Sequence, residues 1–189
     1  MSGGDTLLQL HLGCGKRHIP GFVHIDLDDF PHIDYRQAID ALPMFEDGCV
    51  DLIYCCGALQ YFDRAQAFAA LMEWRRVLKP GSLLRLSVPD FEVLNSIYAK
   101  SGEIDEMLGP LYGRVEIRSL HGPAILYHRT AFDYTSLERL CLQAGFRSFR
   151  RYDWRQTIHR HYDDFSQAYK PHMDKQRGRL ISLNVEAVK

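Results

Sequence analysis

The chain has 189 residues, of which 46% are hydrophobic and 25% are charged, and its formal net charge is -1. This composition predicts one globular domain spanning residues 1–189, and the near-neutral charge excludes a global attraction to nucleic acid or to an anionic membrane. No run approaches the ~18 consecutive apolar residues of a membrane span, and the first residues lack a signal-peptide pattern, so we expect a cytoplasmic protein. The cysteines contain no C-x-x-C pair, which favours reduced, mostly buried thiols.

The first part of the chain predicts a strand, a glycine turn and a second strand that ends in a carboxylate. The apolar stretch Leu7–Leu12 precedes the turn Gly13–Gly15, and the second strand, Phe22–Asp26, ends in an aspartate. A backbone without Cβ can turn sharply and let a ligand lie against its N–H groups, and a carboxylate at a strand end can accept both hydroxyl protons of a ribose. This pattern predicts a nucleoside site.

A helix is predicted from Arg64 to Leu78. Asp63 is its N-cap and Gln66, three residues on, completes a capping box, while Lys79-Pro80-Gly81 ends it. Its predicted buried residues are Phe68, Leu71, Met72 and Leu78.

A second helix is predicted to begin at Thr135, whose hydroxyl forms a T-x-x-E capping box with Glu138, and to end at Gly145. Strand candidates alternate with the helices, which favours a doubly wound parallel sheet. The candidates are Leu7–Leu12, Phe22–Asp26, Gln37–Ile39, Val50–Tyr54, Leu83–Val88, Phe146–Tyr152 and Leu180–Val188. No helix follows the last candidate, so this strand can return antiparallel beside its predecessor.

Several segments, taken in order, resemble the class I S-adenosylmethionine-dependent methyltransferases, in particular the small type-11 group. They are Leu10–Gly15 with Phe22–Leu27, Ile39–Ile53, Cys55–Phe62, and Trp74–Pro89. The resemblance covers most of the chain. It implies an α/β fold with a mostly parallel seven-stranded sheet, an antiparallel late strand, and a nucleoside at the carboxyl ends of the first strands.

The resemblance also implies S-adenosylmethionine as cofactor and a set of residues around it. Asp26 takes the ribose position, with Asp28 and Asp29 as nearby alternatives, and Leu27 packs on adenine. Asp40 and Ala41 occupy the positions at the adenine edge. The whole implied set is Leu12, Gly13, Cys14, Gly15, Asp26, Leu27, Asp40, Ala41 and Cys56.

Two positions depart from the family pattern, because His11 stands where an acidic residue is usual and Arg17 stands where a third glycine is usual. His11 cannot supply the usual carboxylate for the cofactor's ammonium. The short interval before Phe22 predicts that the helix after the glycine turn is reduced to a loop or one turn. A nicotinamide dinucleotide is disfavoured, since the third glycine of G-x-G-x-x-G is replaced by His18 and Asp26 comes earlier than the ~20 residues expected.

Methyl transfer to a well-held acceptor gains roughly 7–11 kcal/mol from proximity and orientation, so a catalytic base is optional. Candidates near the expected methyl group are Tyr61, which can orient an acceptor, and His121 or His128, either of which can take a proton. The segment Ser101–Asp133 is the predicted substrate-facing insertion. The string His159–Asp164 lacks a defined metal-ligand spacing, so no metal site is predicted.

The sequence therefore predicts a methyltransferase acting on an unidentified small-molecule acceptor, with the oligomeric state left open. One alternative is a methyltransferase-like protein without catalysis that serves as a binding or scaffold subunit, as His11 and Arg17 permit. Another is a nucleic-acid methyltransferase that uses the basic C-terminal third. The absence of an N/D-P-P-Y/F string disfavours nucleic acid as substrate, and no membrane partner is expected.

Overall fold

The computed structural model describes residues 7–189. The strands are β1 (Gln9–Leu12), β2 (Phe22–Asp26), β3 (Tyr35–Arg36), β4 (Val50–Cys56), β5 (Leu78–Pro89), β6 (Val115–Ser119), β7 (Gly122–Leu126), β8 (Arg147–Arg151), β9 (Tyr169–Lys170), β10 (Arg179–Leu180) and β11 (Ser182–Val188). The α-helices are α1 (Arg64–Val77), α2 (Phe91–Ser101), α3 (Asp105–Tyr112) and α4 (Tyr134–Gln143), and short 3-10 turns lie at Leu59–Tyr61, Trp154–Gln156 and Phe165–Gln167.

Seven strands form the central sheet in the order β3-β2-β1-β4-β5-β11-β8. The first five are parallel, whereas β11 runs antiparallel to both β5 and β8. This confirms the predicted mostly parallel sheet with an antiparallel late strand. The strand order reverses beside β1, and in open α/β sheets ligands bind at the carboxyl ends of the strands at such a reversal.

Two predicted strands, the third and the last, are shifted along the chain relative to the prediction. The strand expected at Gln37–Ile39 lies at Tyr35–Arg36, where it pairs with the end of β2. Ile39 is instead buried in the hydrophobic core. Leu180 does not belong to β11 but pairs with Tyr169 in a separate two-stranded sheet.

The capping box of α1 is confirmed, but its predicted buried face is partly wrong. Asp63 accepts a hydrogen bond from the Gln66 amide at 2.9 Å, and the Gln66 side chain accepts one from the Asp63 amide. Phe68 and Met72 are exposed. The Trp74 indole donates to the Ile39 carbonyl at 2.6 Å and fixes the rotation of the helix. The buried residues of the helix are Ala67, Ala70, Leu71, Trp74 and Val77.

The N-cap predicted for α4 is wrong. Asp133, not Thr135, caps the helix, because its carboxylate accepts a hydrogen bond from the Ser136 amide at 2.8 Å. Thr135 lies within the first turn. The predicted end is confirmed, since the helix stops at the C-cap Ala144 and Gly145 follows with φ 90°.

A loop joins β1 to β2, as the short interval after the glycine turn predicts. One face of the sheet beside this loop carries His11, Phe22 and Tyr54. It is covered by the segment between β8 and β9, residues 152–168, in which the His159 ring stacks on Tyr54 with a centroid separation of 3.8 Å. This covering segment is absent from the sequence-based expectations.

The predicted insertion, residues 101–133, contains α3 and the hairpin β6–β7. The hairpin is joined to the end of β2 because the Arg118 amide donates to Asp28 at 3.0 Å. Its return strand is joined to α3, since the His128 amide donates to the Tyr112 carbonyl. Across residues 7–189, no helix has both the length and the apolar character needed to cross a membrane.

Candidate functional site

Two cavities meet at the glycine turn. The smaller, about 580 Å³, lies over the ends of β1 and β2, and the larger, about 670 Å³, lies between the turn, α3 and the covering segment. Both volumes are in the range of small-molecule sites. The residues that line both cavities are Gly13, Gly15, Lys16, Arg17, Gly57, Tyr61 and Val115.

Asp26 lines the smaller cavity and also holds the glycine turn. One carboxylate oxygen accepts a hydrogen bond from the Gly15 amide at 2.7 Å, and the other accepts one from the Asp28 amide at 2.8 Å. A carboxylate has about four acceptor positions, so each oxygen retains one for a ligand hydroxyl. The Gly13 amide donates to the Ile25 carbonyl at 2.8 Å. The expectation that a ligand meets these two glycine N–H groups is therefore wrong.

Asp28 and Asp29, the alternative ribose residues, have other contacts. Asp28 lines the smaller cavity but is buried, and its carboxylate accepts hydrogen bonds from the amides of Asp29 and Arg118. Asp29 is exposed, lies 3.6 Å from the Arg36 guanidinium, and is outside both cavities. Asp26 is thus the carboxylate best placed to meet two hydroxyl groups.

The other expected cofactor residues divide into three groups. Leu27 and Asp40 line the smaller cavity. Cys14 and Cys56 line the larger cavity only, and burial raises the pKa of both thiols, which are therefore protonated at neutral pH. Leu12 and Ala41 line neither cavity: Leu12 is a core residue, and Ala41 is exposed with its carbonyl accepting from Gln37.

The smaller cavity also contains apolar side chains that the sequence analysis did not identify. They are Phe30, Ala38, Ile39, Ala58, Phe62, Ile117 and Leu126. The hairpin residues carried a signal, because Val115 and Ile117 alternate with the charged Glu116 and Arg118, as expected of a strand with one buried face.

The larger cavity is closed on one side by the covering segment. The Arg17 guanidinium donates to the Asp163 carbonyl at 2.6 Å and so connects the glycine turn to this segment. Asp164 also lines the cavity, and its carboxylate accepts hydrogen bonds from the Tyr54 hydroxyl at 2.6 Å and from Ser166. Tyr169, Lys170 and His172 complete this wall.

His11, at the usually acidic position, is buried and lines the larger cavity. Its ring stacks on Tyr54 at 5.2 Å between centroids, and Nδ1 has no hydrogen-bond partner among residues 7–189. Burial, followed by the neighbouring His24, lowers the pKa of His11 well below its ordinary value. The side chain is therefore neutral and supplies no charge to the site.

The three catalytic candidates are not together. His121 is exposed at the hairpin turn and lines neither cavity. Tyr61 and His128 pack edge to face with ring centroids 4.6 Å apart, and the Tyr61 hydroxyl donates to the Gly113 carbonyl at 2.9 Å. Tyr61 lines both cavities and His128 lines the larger. Burial raises the pKa of Tyr61 and lowers that of His128.

The His159–Asp164 string does not form a metal site. Within residues 7–189 no group of three His, Cys, Asp or Glu side chains could hold a metal ion. His159 is fully buried beside Thr157 and Arg85, whereas His161 is exposed.

Part of the chain matches a known protein family. Residues 21–86, which run from the start of β2 into β5, match the family described as "Methyltransferase domain". No relative of the chain was found among curated proteins by sequence comparison.

Solved structures show the same fold. A SAM-dependent methyltransferase from Thermotoga maritima has a TM-score of 0.59 and 15% identity, covering 96% of this chain and 81% of that chain. One from Archaeoglobus fulgidus has a TM-score of 0.57 and 13% identity, with 97% and 86% covered. The Burkholderia thailandensis 1,6-didemethyltoxoflavin-N1-methyltransferase, solved with 1,6-didemethyltoxoflavin and S-adenosylhomocysteine, has a TM-score of 0.54 and 13% identity, with 96% and 70% covered.

The fold is Rossmann-like, and the smaller cavity lies at the carboxyl ends of its first strands. Residues 21–86 are thus similar to the methyltransferase domain, and the solved structures that share this fold include SAM-dependent methyltransferases, one of them with bound S-adenosylhomocysteine.

Proposed function

We propose that the smaller cavity binds S-adenosylmethionine and that the larger cavity binds a small-molecule acceptor of its methyl group. The observation that carries this proposal is the junction of the two cavities at Gly13, Gly15, Gly57 and Tyr61, since methyl transfer requires the two reactants to be held in contact. When bound, the cofactor supplies an electrophilic sulfonium methyl group.

The residues of the smaller cavity fit a nucleoside. The Asp26 carboxylate would accept hydrogen bonds from both ribose hydroxyls, while Leu27 and Ile39 offer apolar surface to adenine and Asp40 offers an acceptor to its amino group. Gly15, with φ 53°, leaves open space where a side chain would project. The neutral His11 does not repel a cationic sulfonium.

The size of the larger cavity supports a small acceptor. At about 670 Å³ it suits a molecule of drug-like size. In the basic C-terminal third, two arginines of β8 are already paired with carboxylates, which reduces the positive charge that this part of the chain offers to nucleic acid. Arg150 lies 3.2 Å from Glu186, and Arg151 lies 3.1 Å from Asp90.

The proposal predicts methyl transfer to a small molecule. Purified protein is incubated with S-adenosylmethionine carrying a radioactive methyl group and, in separate reactions, with small amines, alcohols and carboxylic acids, with RNA, and with duplex DNA. We expect label in a small molecule and none in either nucleic acid. Label in RNA or DNA would contradict a small acceptor, and cofactor binding without any transfer would support the non-catalytic alternative.

A further inference from the structure

Gln60 and His128 lie side by side in the wall of the larger cavity. The Nδ1 atom of His128 lies 3.0 Å from the Pro110 carbonyl oxygen, and a carbonyl can only accept a hydrogen bond. In the neutral ring Nδ1 therefore carries the proton and Nε2 carries a lone pair. Burial lowers the pKa of His128, so the neutral ring predominates at neutral pH.

This tautomer fixes the orientation of the Gln60 amide. The Nε2 atoms of Gln60 and His128 are 3.3 Å apart, so an N–H of Gln60 faces the lone pair of His128. The amide oxygen Oε1 is then left over, and among residues 7–189 it has no hydrogen-bond partner. Gln60 is only 2% exposed, and its main-chain carbonyl accepts from the Arg129 amide at 2.8 Å, which holds the residue in place.

The pair therefore has two acceptor atoms, Gln60 Oε1 and His128 Nε2, and the Gln60 amide keeps a second N–H besides the one that faces His128. His128 Nε2 is engaged only by the long contact with Gln60, and Gln60 Oε1 is not engaged by any described residue. A carboxylate ligand has no hydrogen to donate to either acceptor, and a hydroxyl has one. A primary amine has two N–H groups, of which one can meet Oε1 and the other can meet Nε2 in place of the long Gln60 contact.

The pair lies near the place where the reacting atom of an acceptor would have to meet the cofactor. Tyr61 packs against the His128 ring and lines both cavities, so the pair lies close to their junction. Resting on the function proposed above, we propose that Gln60 and His128 bind the acceptor's nucleophile and that this nucleophile is an amine nitrogen.

Gln60 and His128 then have different roles in the methyl transfer. Gln60 Oε1 accepts one N–H of the amine and orients the nitrogen. As the nitrogen lone pair forms its bond to the methyl carbon, the carbon–sulfur bond breaks and its electron pair stays on sulfur. The proton that the nitrogen gives up passes to His128 Nε2, which releases it to water.

The first test is spectroscopic and needs no activity. In protein labelled with 15N-histidine, the ring shifts and N–H couplings at neutral pH should show His128 as the Nδ1–H tautomer. In the Gln60→Glu variant, a carboxylate facing Nε2 should convert the ring to the Nε2–H or doubly protonated form. A native ring with the proton on Nε2 would overturn the proposal, because Gln60 Oε1 would then be occupied.

The second test uses a panel of primary amines together with the alcohols and carboxylates of matching shape, added with and without saturating S-adenosylhomocysteine. We expect only amines to shift the His128 15N signals and to accept labelled methyl groups. The Gln60→Leu variant should bind these amines at least tenfold more weakly while S-adenosylhomocysteine binds as before. Gln143→Leu, at an exposed glutamine of α4, is the control.

Failure of the two proposals can be distinguished. If the native protein does not bind S-adenosylhomocysteine, the proposed function falls, while the tautomer and the amine titration still decide the subsite. Methylation of alcohols or carboxylates in preference to amines, or unchanged amine affinity in Gln60→Leu, would overturn the subsite and leave the proposed function intact.

Discussion

Gly13 and Gly15 both have positive φ angles, 64° and 53°, but their surroundings differ. A Cβ built on Gly13 would overlap the Cβ of Ala58, which is the N-cap of the 3-10 turn after β4. A Cβ on Gly15 would have no atom within 4 Å. Gly13 thus permits close packing between two loops, and Gly15 leaves space at the junction of the cavities.

This difference predicts unequal effects of alanine. Both substitutions place an L side chain in the left-handed region, which costs roughly 1–2 kcal/mol. Gly13→Ala should lower the free energy of unfolding by about 1–3 kcal/mol more, because Ala58 must move. Gly15→Ala should instead weaken S-adenosylhomocysteine binding with the smaller loss of stability. Urea unfolding and calorimetry measure the two effects, and equal losses of stability would contradict this account.

Residue chemistry explains which site residues could be predicted. A carboxylate at the end of β2 is readable from the strand candidate Phe22–Asp26, which ends in an aspartate, and Asp26 does line the smaller cavity. Leu12 and Ala41 belong to the expected cofactor residues only because of their positions in the motifs. A sequence motif does not determine whether a side chain faces the cavity. Gln60 could not be predicted from the sequence. Its proposed role depends on the side-chain oxygen Oε1 having no hydrogen-bond partner, and this follows only from the packing of His128 beside it.

At the scale of elements, local signals predicted the strands of the central sheet and the helices α1 and α4, but not α2, α3 or the hairpin β6–β7. The α1 capping box depends on residues adjacent in sequence, so it could be predicted. The face that α1 buries depends on the hydrogen bond from Trp74 to Ile39, a contact between distant residues, so it could not. The covering segment, residues 152–168, has short 3-10 turns and no periodicity, and its contact with the sheet could not be predicted for the same reason.

The covering segment makes stability depend on pH. Burial, followed by the charge of Arg85, lowers the pKa of His159 to about 3. The unfolded chain protonates this histidine near pH 6.5, so below that pH the unfolded state binds the extra proton. The contribution of His159 to stability is therefore complete above about pH 6.5 and is lost as the pH falls toward 3.

His159→Phe keeps an aromatic ring on Tyr54 but removes the titration. The free energy of unfolding of the native protein should fall between about pH 6 and pH 4 more steeply than that of the variant, by up to about 1.4 kcal/mol per pH unit. Urea unfolding at several pH values measures both slopes. His121→Phe, at an exposed histidine, is the control. Parallel slopes for native protein and His159→Phe would show that His159 is not held neutral.

At the scale of the whole molecule, the order of the strands in the sheet determines where the two cavities lie. The reversal of strand order places the ends of β1, β2 and β4 together, and the glycine turn between β1 and β2 separates the smaller cavity from the larger. The class of fold followed from the order of elements in the sequence. The larger cavity did not, because its walls come from α3, the hairpin β6–β7 and the covering segment, which meet only in the folded chain.

The most direct test of the central claim is calorimetric titration with S-adenosylhomocysteine of the native protein, Asp26→Ala and Asp29→Ala, with circular dichroism to verify folding. Asp29→Ala is the matched control, since Asp29 is exposed and outside both cavities. We predict that the native protein and Asp29→Ala bind alike and that Asp26→Ala binds at least tenfold more weakly, about 1.4 kcal/mol. A folded native protein that does not bind, or a folded Asp26→Ala that binds as tightly as the native protein, would contradict the account.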